Sequence, residues 1–169
     1  AGRTIVVFAI SALLLMAFIA WEHRVVHPML DIRLFRKRGF TGGSVAIAMT
    51  FLGMFGMFFI LTLYLQLVRG YSALEAGVRT LPFAMVMMIA APSSASLAAK
   101  FGTRNIVATG MATSGIGLLL LGHTSTLTSP YWLLALSLAV LAGGAGLTMA
   151  PSTSSIMSSV PQQKAGVGS

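Results

Sequence analysis

The sequence predicts an all-α, polytopic membrane protein with five transmembrane helices. Three observations carry the prediction. Hydrophobic residues make up 56% of the 169-residue chain and charged residues 8%, whereas a soluble domain carries about a quarter charged residues. The charges stand in short clusters, leaving uncharged runs at 4–21, 39–68, 80–99 and 105–163. A membrane-crossing helix takes about 20 apolar residues. Runs such as "FLGMFGMFFILTLYL" and "LPFAMVMMIAAP" do not alternate apolar with polar, as the strands of a membrane barrel would.

The spans follow in order. The first covers about 4–21 and is closed by "WEHR". Its length, and the lack of a small-residue cleavage site after it, separate it from a cleaved leader. The second covers about 41–66, the third 73–99, the fourth 105–121 and the fifth 131–150. The polar stretch "HTSTLTSP" at 123–130 divides the last two. Residues 1–39 therefore hold one helix and a basic loop, and residues 40–169 hold four helices and the start of a further loop. The chain opens without methionine and stops at "AGVGS". It reads as a segment of a longer polypeptide whose remainder supplies further helices.

The formal charge of +8 does not point to nucleic acid. The basic residues sit in loops between spans, with no basic stripe on a soluble element. Arg24, Arg33, Arg36, Lys37 and Arg38 fall between the first two spans, Lys100 and Arg104 between the third and fourth, and Lys164 after the fifth. All of these lie on one side of the membrane. Arg3, Arg69 and Arg79 lie on the other. The positive-inside rule makes the richer side cytoplasmic. Trp21, Tyr131 and Trp132 then stand at the interfaces, where aromatic belts form. The absence of cysteine excludes disulfide and thiol chemistry.

Glu75 is one of three carboxylates, with Glu22 and Asp31. A lone acid beside an apolar helix suggests a proton carrier. Ser72 stands three residues earlier, however, and S-x-x-E is the capping-box pattern. The expected role of Ser72 and Glu75 is to start the third helix, with Arg79 one turn on. No Asp, Glu, Lys or Arg falls mid-span, and such residues mark proton relays. The protons of a coupled carrier must therefore be handled by acids elsewhere in the polypeptide. His23 and His27 are spaced as a metal pair, but a third ligand is lacking and the order is not H-E-x-x-H, so they read as loop decoration. "RLFRKR" at 33–38 suits both orientation and contact with anionic headgroups.

The second span holds Gly53 and Gly56, which admit close helix packing. It also holds Thr50, Met54, Phe55, Phe58, Thr62 and Gln66, a set suited to line an adaptable apolar path. Ordinary lipid-facing packing is the simpler use of each. The third span contains Pro82 and Pro92, read as interior kinks; Pro92 is a further candidate for the path and is followed by hydroxyls that can satisfy freed carbonyls. The fourth carries small residues at Gly110, Ser114, Gly115 and Gly117. The fifth carries "AGGAG", with Gly143 and Gly146 as packing positions, and is expected to end before Pro151. No phosphate cradle, nucleophile elbow or acid pair is present, so neither an enzyme nor a cofactor is expected.

Five stretches in order give the chain a likeness: "WEHRVVHPMLDIRLFRKRGF", "LYLQLVRGYSALEAGVRTLP", "LAAKFGTRN", "TSPYW" and "APSTSSIMSSVPQQKAGVGS". Together they resemble the major facilitator superfamily, in its fourteen-helix drug:proton antiporter branch, over nearly the whole chain. The resemblance implies that the first span is the second of two extra central helices. The other four would be the first four of the C-terminal six-helix half. It also implies rocking-bundle export, with the second, third and fifth spans along the central cavity and the fourth outside. "LAAKFGTR" is similar to the superfamily's cytoplasmic loop at Leu97, Ala98, Lys100, Gly102 and Arg104. Ala95 replaces its first glycine and Ala99 its aspartate, so a charge latch there is not implied.

The function expected is part of a proton-coupled exporter of small amphiphilic substrates, embedded in the cell membrane and completed by the rest of its own polypeptide. The competing reading is a non-transporting membrane subunit, or the permease of an ATP-driven system. Further helices in the same reading frame distinguish the first from the second.

Overall fold

The computed structural model describes residues 2–22, 36–126 and 129–159. Among these residues the secondary structure is helical, without strands. Helix α1 is Gly2–Glu22. Its 21 residues rise about 31 Å, the thickness of the bilayer's hydrocarbon core, and its described apolar stretch runs Val6–Phe18. Helix α2, Arg38–Leu63, continues through a single π-helical turn at Tyr64–Val68. Helix α3, Ala73–Arg79, leads into α4, Leu81–Phe101. Helices α5, Thr103–Thr124, and α6, Tyr131–Ser159, follow. Four of these stretches are long and apolar enough to cross a membrane: 38–68, 73–101, 103–124 and 131–158.

Helix α6 is the axis. It packs most extensively on α5, then on α4, then on α2, while among the described residues α1 shares no comparable interface with the others. Leu138, Ala142 and Ala145 on α6 are fully buried, and Leu141 nearly so. Leu138, Leu141 and Ala142 share one core with Met57, Leu61 and Leu65 from the second span, Phe83 from α4 and Leu121 from α5. Apolar contact alone gives helices little reason to associate in lipid, so close backbone approach has to supply dispersion.

Glycines make that approach possible. A Cβ added at Gly144 would lie 2.4 Å from the Ser114 nitrogen, and one at Gly117 would lie 2.6 Å from the Leu141 nitrogen. Gly110 meets the Gly144 carbonyl in the same way, at 2.8 Å. Gly146 sets α6 against Ala90 of α4 at 2.7 Å, and Gly43 sets α2 against the Ser152 carbonyl at 2.8 Å. The other small residues expected to pack do not make such approaches. A Cβ at Gly53 or Gly143 would make ordinary contacts of 3.5 and 3.8 Å, and one at Gly56 or Gly115 would meet nothing within 4 Å. Glycine identity in the sequence does not say which side of a helix faces its neighbour.

Two proline expectations change. Pro82 is not an interior kink: the helix stops at Thr80 and restarts, placing Pro82 in the first turn of α4. There its missing N–H costs no hydrogen bond. The Thr80 N–H and hydroxyl both take the Gly77 carbonyl, at 3.1 and 2.7 Å, which closes α3. Pro92 does lie inside α4. Ser93 donates to the Ile89 carbonyl at 2.7 Å and Ser94 to that of Ala91 at 2.6 Å, rather than to the Met88 carbonyl that a proline at 92 leaves without its helical donor.

The fifth span does not end before Pro151; α6 runs to Ser159. Tertiary contact carries it past the proline. Ile156 packs on Phe40, and the Ser155 hydroxyl donates to the Gly39 carbonyl at 3.2 Å.

The approaches at 144 and 117 rest on backbone atoms, which cannot rotate away. In the full-length polypeptide, Gly144→Ala and Gly117→Ala each are expected to lower stability by about 1–3 kcal/mol. Gly56→Ala and Gly115→Ala, which place a methyl in open space, should leave the midpoint unchanged or raised, because alanine favours helix over glycine. Thermal unfolding in detergent measures both; equal losses at all four sites would contradict the packing described.

Candidate functional site

Each end of the bundle gathers its own loops. Arg38 and Arg104 line one cavity with Ser152 and Ser155, so the beginnings of α2 and α5 share an end with the last turns of α6. Tyr64, Arg69, Arg79 and Tyr131 stand at the opposite end, linked to each other or to the α5–α6 loop. This is the segregation of basic loops that the positive-inside count requires.

At the far end the chain turns at Gly70, whose φ of 68° is left-handed and suits glycine. Ser72 then caps α3. Its hydroxyl accepts from the Glu75 N–H at 3.3 Å, and a Glu75 carboxylate oxygen accepts from the Ser72 N–H at 2.9 Å. Both bonds of the capping box are therefore present. Arg79 donates to the Glu75 backbone carbonyl at 3.3 Å. Its guanidinium carbon lies 3.6 Å from the centre of the Tyr71 ring, a cation–π geometry. The Tyr131 hydroxyl donates to the Arg79 carbonyl at 3.1 Å, which ties α6 to α3. Glu75 is thus held at a helix start, away from the middle of any span.

A second knot at this end has no signature in the sequence. The π-helical turn bonds the Arg69 N–H to the Tyr64 carbonyl at 3.0 Å, a five-residue step. That step brings the two side chains over one another, and Arg69 Nε donates to the Tyr64 hydroxyl at 2.9 Å. The hydroxyl donates on to the Thr126 carbonyl at 2.6 Å, and the Arg69 guanidinium also reaches the Ser129 carbonyl. The top of the second span is thereby fastened to the α5–α6 loop. An α-helical reading of 64 and 69 places them on different faces, which is why periodicity misses the pair.

The expected path residues divide into two groups. Thr50 is buried, and its hydroxyl is spent on the Ala46 carbonyl at 2.8 Å. With Met54 it borders a cavity of about 30 Å³ beside Ser114, whose buried hydroxyl has no partner among the described residues. Phe58 is half-buried and meets Phe83 of α4 edge to face, with centroids 5.1 Å apart. Phe55, Thr62, Gln66 and Pro92 are exposed. Phe55 and Thr62, seven residues apart, share a stripe of α2, whereas Gln66 lies within the π-helical turn, where that spacing no longer fixes the face.

At the basic end, Gly102 separates α4 from α5 with a φ of 84°. Lys100 lies in the last turn of α4, where a cation complements the helix dipole. Arg104 stands in the first turn of α5, bordering the cavity that also holds Arg38 and Gly39 at the start of α2. His23, His27 and Asp31 and residues 33–35 lie outside the described residues.

Apolar helices of spanning length, gathered on a central helix and separated by basic loops at one end, define a multi-pass α-helical membrane protein. The chain belongs to the Major Facilitator Superfamily, whose family model matches residues 3–169. Among curated proteins it is similar to the multidrug efflux pump LfrA of Mycolicibacterium smegmatis, 34% identical over 96% of this chain and 32% of the relative. The multidrug resistance protein Stp of Mycobacterium tuberculosis is 31% identical over 99% of the chain and 31% of the relative. The riboflavin transporter RibZ of Clostridioides difficile is 30% identical over 99% and 37%. The chain thus spans about a third of the length of the relatives it matches. No solved structure gives a significant match.

Two substitutions probe the far end. Ser72→Ala should cost about 1 kcal/mol through loss of the N-cap. Tyr64→Phe should cost a similar amount by removing the hydroxyl that Arg69 and Thr126 share. A double-mutant cycle of Tyr64→Phe with Arg69→Gln, followed by thermal unfolding, is expected to show coupling; additive losses would mean that the two side chains act separately.

Proposed function

We propose that the chain is one segment of a secondary active exporter of drugs or amphiphilic metabolites, driven by proton antiport and seated in the plasma membrane. The observation that carries this reading is likeness over almost the whole chain to proteins named as multidrug efflux and multidrug resistance proteins. The likeness to a riboflavin transporter favours an aromatic, amphiphilic cargo class over a single drug. The wealth of Phe and Met on the second span and α4 supports the same reading, since methionine repacks around varied shapes.

In this proposal the segment supplies wall rather than coupling. Its spans have no mid-membrane acid, so the protons are handled by the remainder of the polypeptide. The exposed side chains of Phe55, Thr62 and Gln66 on the second span, together with Pro92 on α4, form part of the substrate path. The protein carries its substrate and does not convert it. The capped Glu75 has an architectural duty at the outer face, and Lys100, Gly102 and Arg104 shape the cytoplasmic turn between α4 and α5.

The test uses the full-length protein in cells loaded with a fluorescent cationic dye. Efflux should stop on addition of a protonophore. Phe55→Ala and Gln66→Ala should alter efflux unequally among dyes, and Glu75→Gln should retain proton coupling. Efflux that survives the protonophore would remove the antiport mechanism, and a Glu75→Gln variant with normal expression but no coupling would return Glu75 to the proton path.

A further inference from the structure

We propose that a single buried water bridges α2 and α5 near the centre of the membrane, held by the hydroxyls of Thr50 and Ser114. The inference rests on the packing of the helices and does not depend on what the protein transports.

The site begins with an unsatisfied group. The Ser114 hydroxyl oxygen is buried and has no hydrogen-bond partner among the described residues. Its neighbours on α5 behave differently. Thr109 and Thr113 turn back to the carbonyls of Ile106 and Thr109, at 3.0 and 2.8 Å. Ser114 has the Gly110 carbonyl one turn back, but that face of α5 is pressed on α6. A Cβ at Gly144 would lie 2.5 Å from the Gly110 carbonyl oxygen and 2.5 Å from the Ser114 hydroxyl oxygen. The hydroxyl thus rests over Gly144, whose missing side chain leaves room for it. A buried hydroxyl left without a partner costs more than an ordinary hydrogen bond contributes.

The space beside it is small and partly polar. Ser114 borders a cavity of about 30 Å³ with Thr50 and Met54 of α2, Leu118 of α5, and Leu141 and Ala145 of α6. That is room for about one water. Thr50 supplies the second contact. Its hydrogen goes to the Ala46 carbonyl at 2.8 Å, which leaves its oxygen able to accept. The two hydroxyls do not bond each other. A water between them would accept from Ser114 and donate to Thr50, nearly as favourably as a direct bond. Two hydroxyls are too few for a metal cation, which gathers about six oxygens, and an apolar occupant would leave Ser114 unsatisfied.

Both hydroxyls stand at the same depth. From Arg38 to Thr50 is 12 residues, and from Arg104 to Ser114 is 10. These are about 18 and 15 Å along a helix, close to the middle of a bilayer about 40–45 Å thick with its headgroups. The position gives the water a role. Helices α5 and α6 meet through backbone at Gly144, a contact that has no second arrangement. Helix α2 meets α5 far less extensively. A water bond can break and re-form without leaving a polar group bare. It therefore joins α2 to the fixed α5–α6 pair by an exchangeable link.

X-ray radiolytic labelling of the full-length protein in lipid nanodiscs, read by mass spectrometry, tests this, because bound water oxidises the side chains beside it. Met54, on the cavity wall, should be labelled well above Met57, which is buried in the apolar core. Ser114→Ala should remove most of the Met54 labelling and lower the thermal midpoint, since the water loses its donor. Thr50→Val should act in the same direction. The double variant should lose less than the sum of the two, because each single change already breaks the bridge. A wild type with Met54 unlabelled would overturn the site, and this reading needs no variant to fold. An unchanged or raised midpoint in Ser114→Ala would also overturn it, as expected where a dry cavity is relieved of an orphan hydroxyl. Met54 labelling indifferent to both substitutions would assign the oxidation to water from elsewhere. Strictly additive losses would overturn the bridge between the two helices.

Discussion

Backbone contact between α5 and α6 is the constraint on which the remainder of the bundle depends. In water, burying leucine would be enough to hold two helices together. In lipid the surroundings are as apolar as the interface, and association has to come from dispersion at short range. Gly110, Gly117 and Gly144 allow it by removing the side chains that would hold the two backbones apart. Once α6 is fixed against α5, its other sides become the seats for α4, through Gly146, and for α2, through Gly43. The apolar core of Leu138, Leu141 and Ala142 fills the space that these approaches define.

The hydroxyls of the interior follow from the same constraint. Thr50, Ser94, Ser137 and Thr148 are buried, and each donates to a carbonyl three or four residues back on its own helix. This satisfies the group without any partner helix and leaves the interior electrically quiet. Ser114 and Ser152 break the pattern. The first borders a cavity large enough for about one water, and the second faces the basic end. Ser114 apart, polar interest is thereby confined to the two ends, while the middle of the bundle is a matter of shape.

Much of this was legible in the sequence. Uncharged runs of spanning length fix the number and approximate bounds of the helices, because lipid admits few other ways to satisfy a backbone. The capping box was legible because Ser72 and Glu75 interact locally, within one turn. What could not be read depends on azimuth and on distant partners. Gly53, Gly56 and Gly143 are as small as Gly117 and Gly144, yet only the facing helix decides which of them are pressed. Pro82 and Pro151 illustrate the same limit. One falls at a helix start because Thr80 closes the preceding turn, and the other is carried through because α2 holds the segment beyond it.

The π-helical turn at Tyr64–Val68 also changes how the second span should be read. A five-residue hydrogen-bonded step accommodates one residue more than an α-helical turn, so the span has two angular phases, one before Tyr64 and one after. A wheel drawn from the lower phase misassigns the faces of everything above it. Arg69 leans on Tyr64 only in the upper phase. Removing Gln66 alone would bring the two phases back into line, and it would leave Arg69 four residues from Tyr64, still on the same face of an α-helix. The fastening between parts of the chain some sixty residues apart thus depends on the overlap of Tyr64 with Arg69, which a four-residue α-helical step or a five-residue π-helical step can each supply.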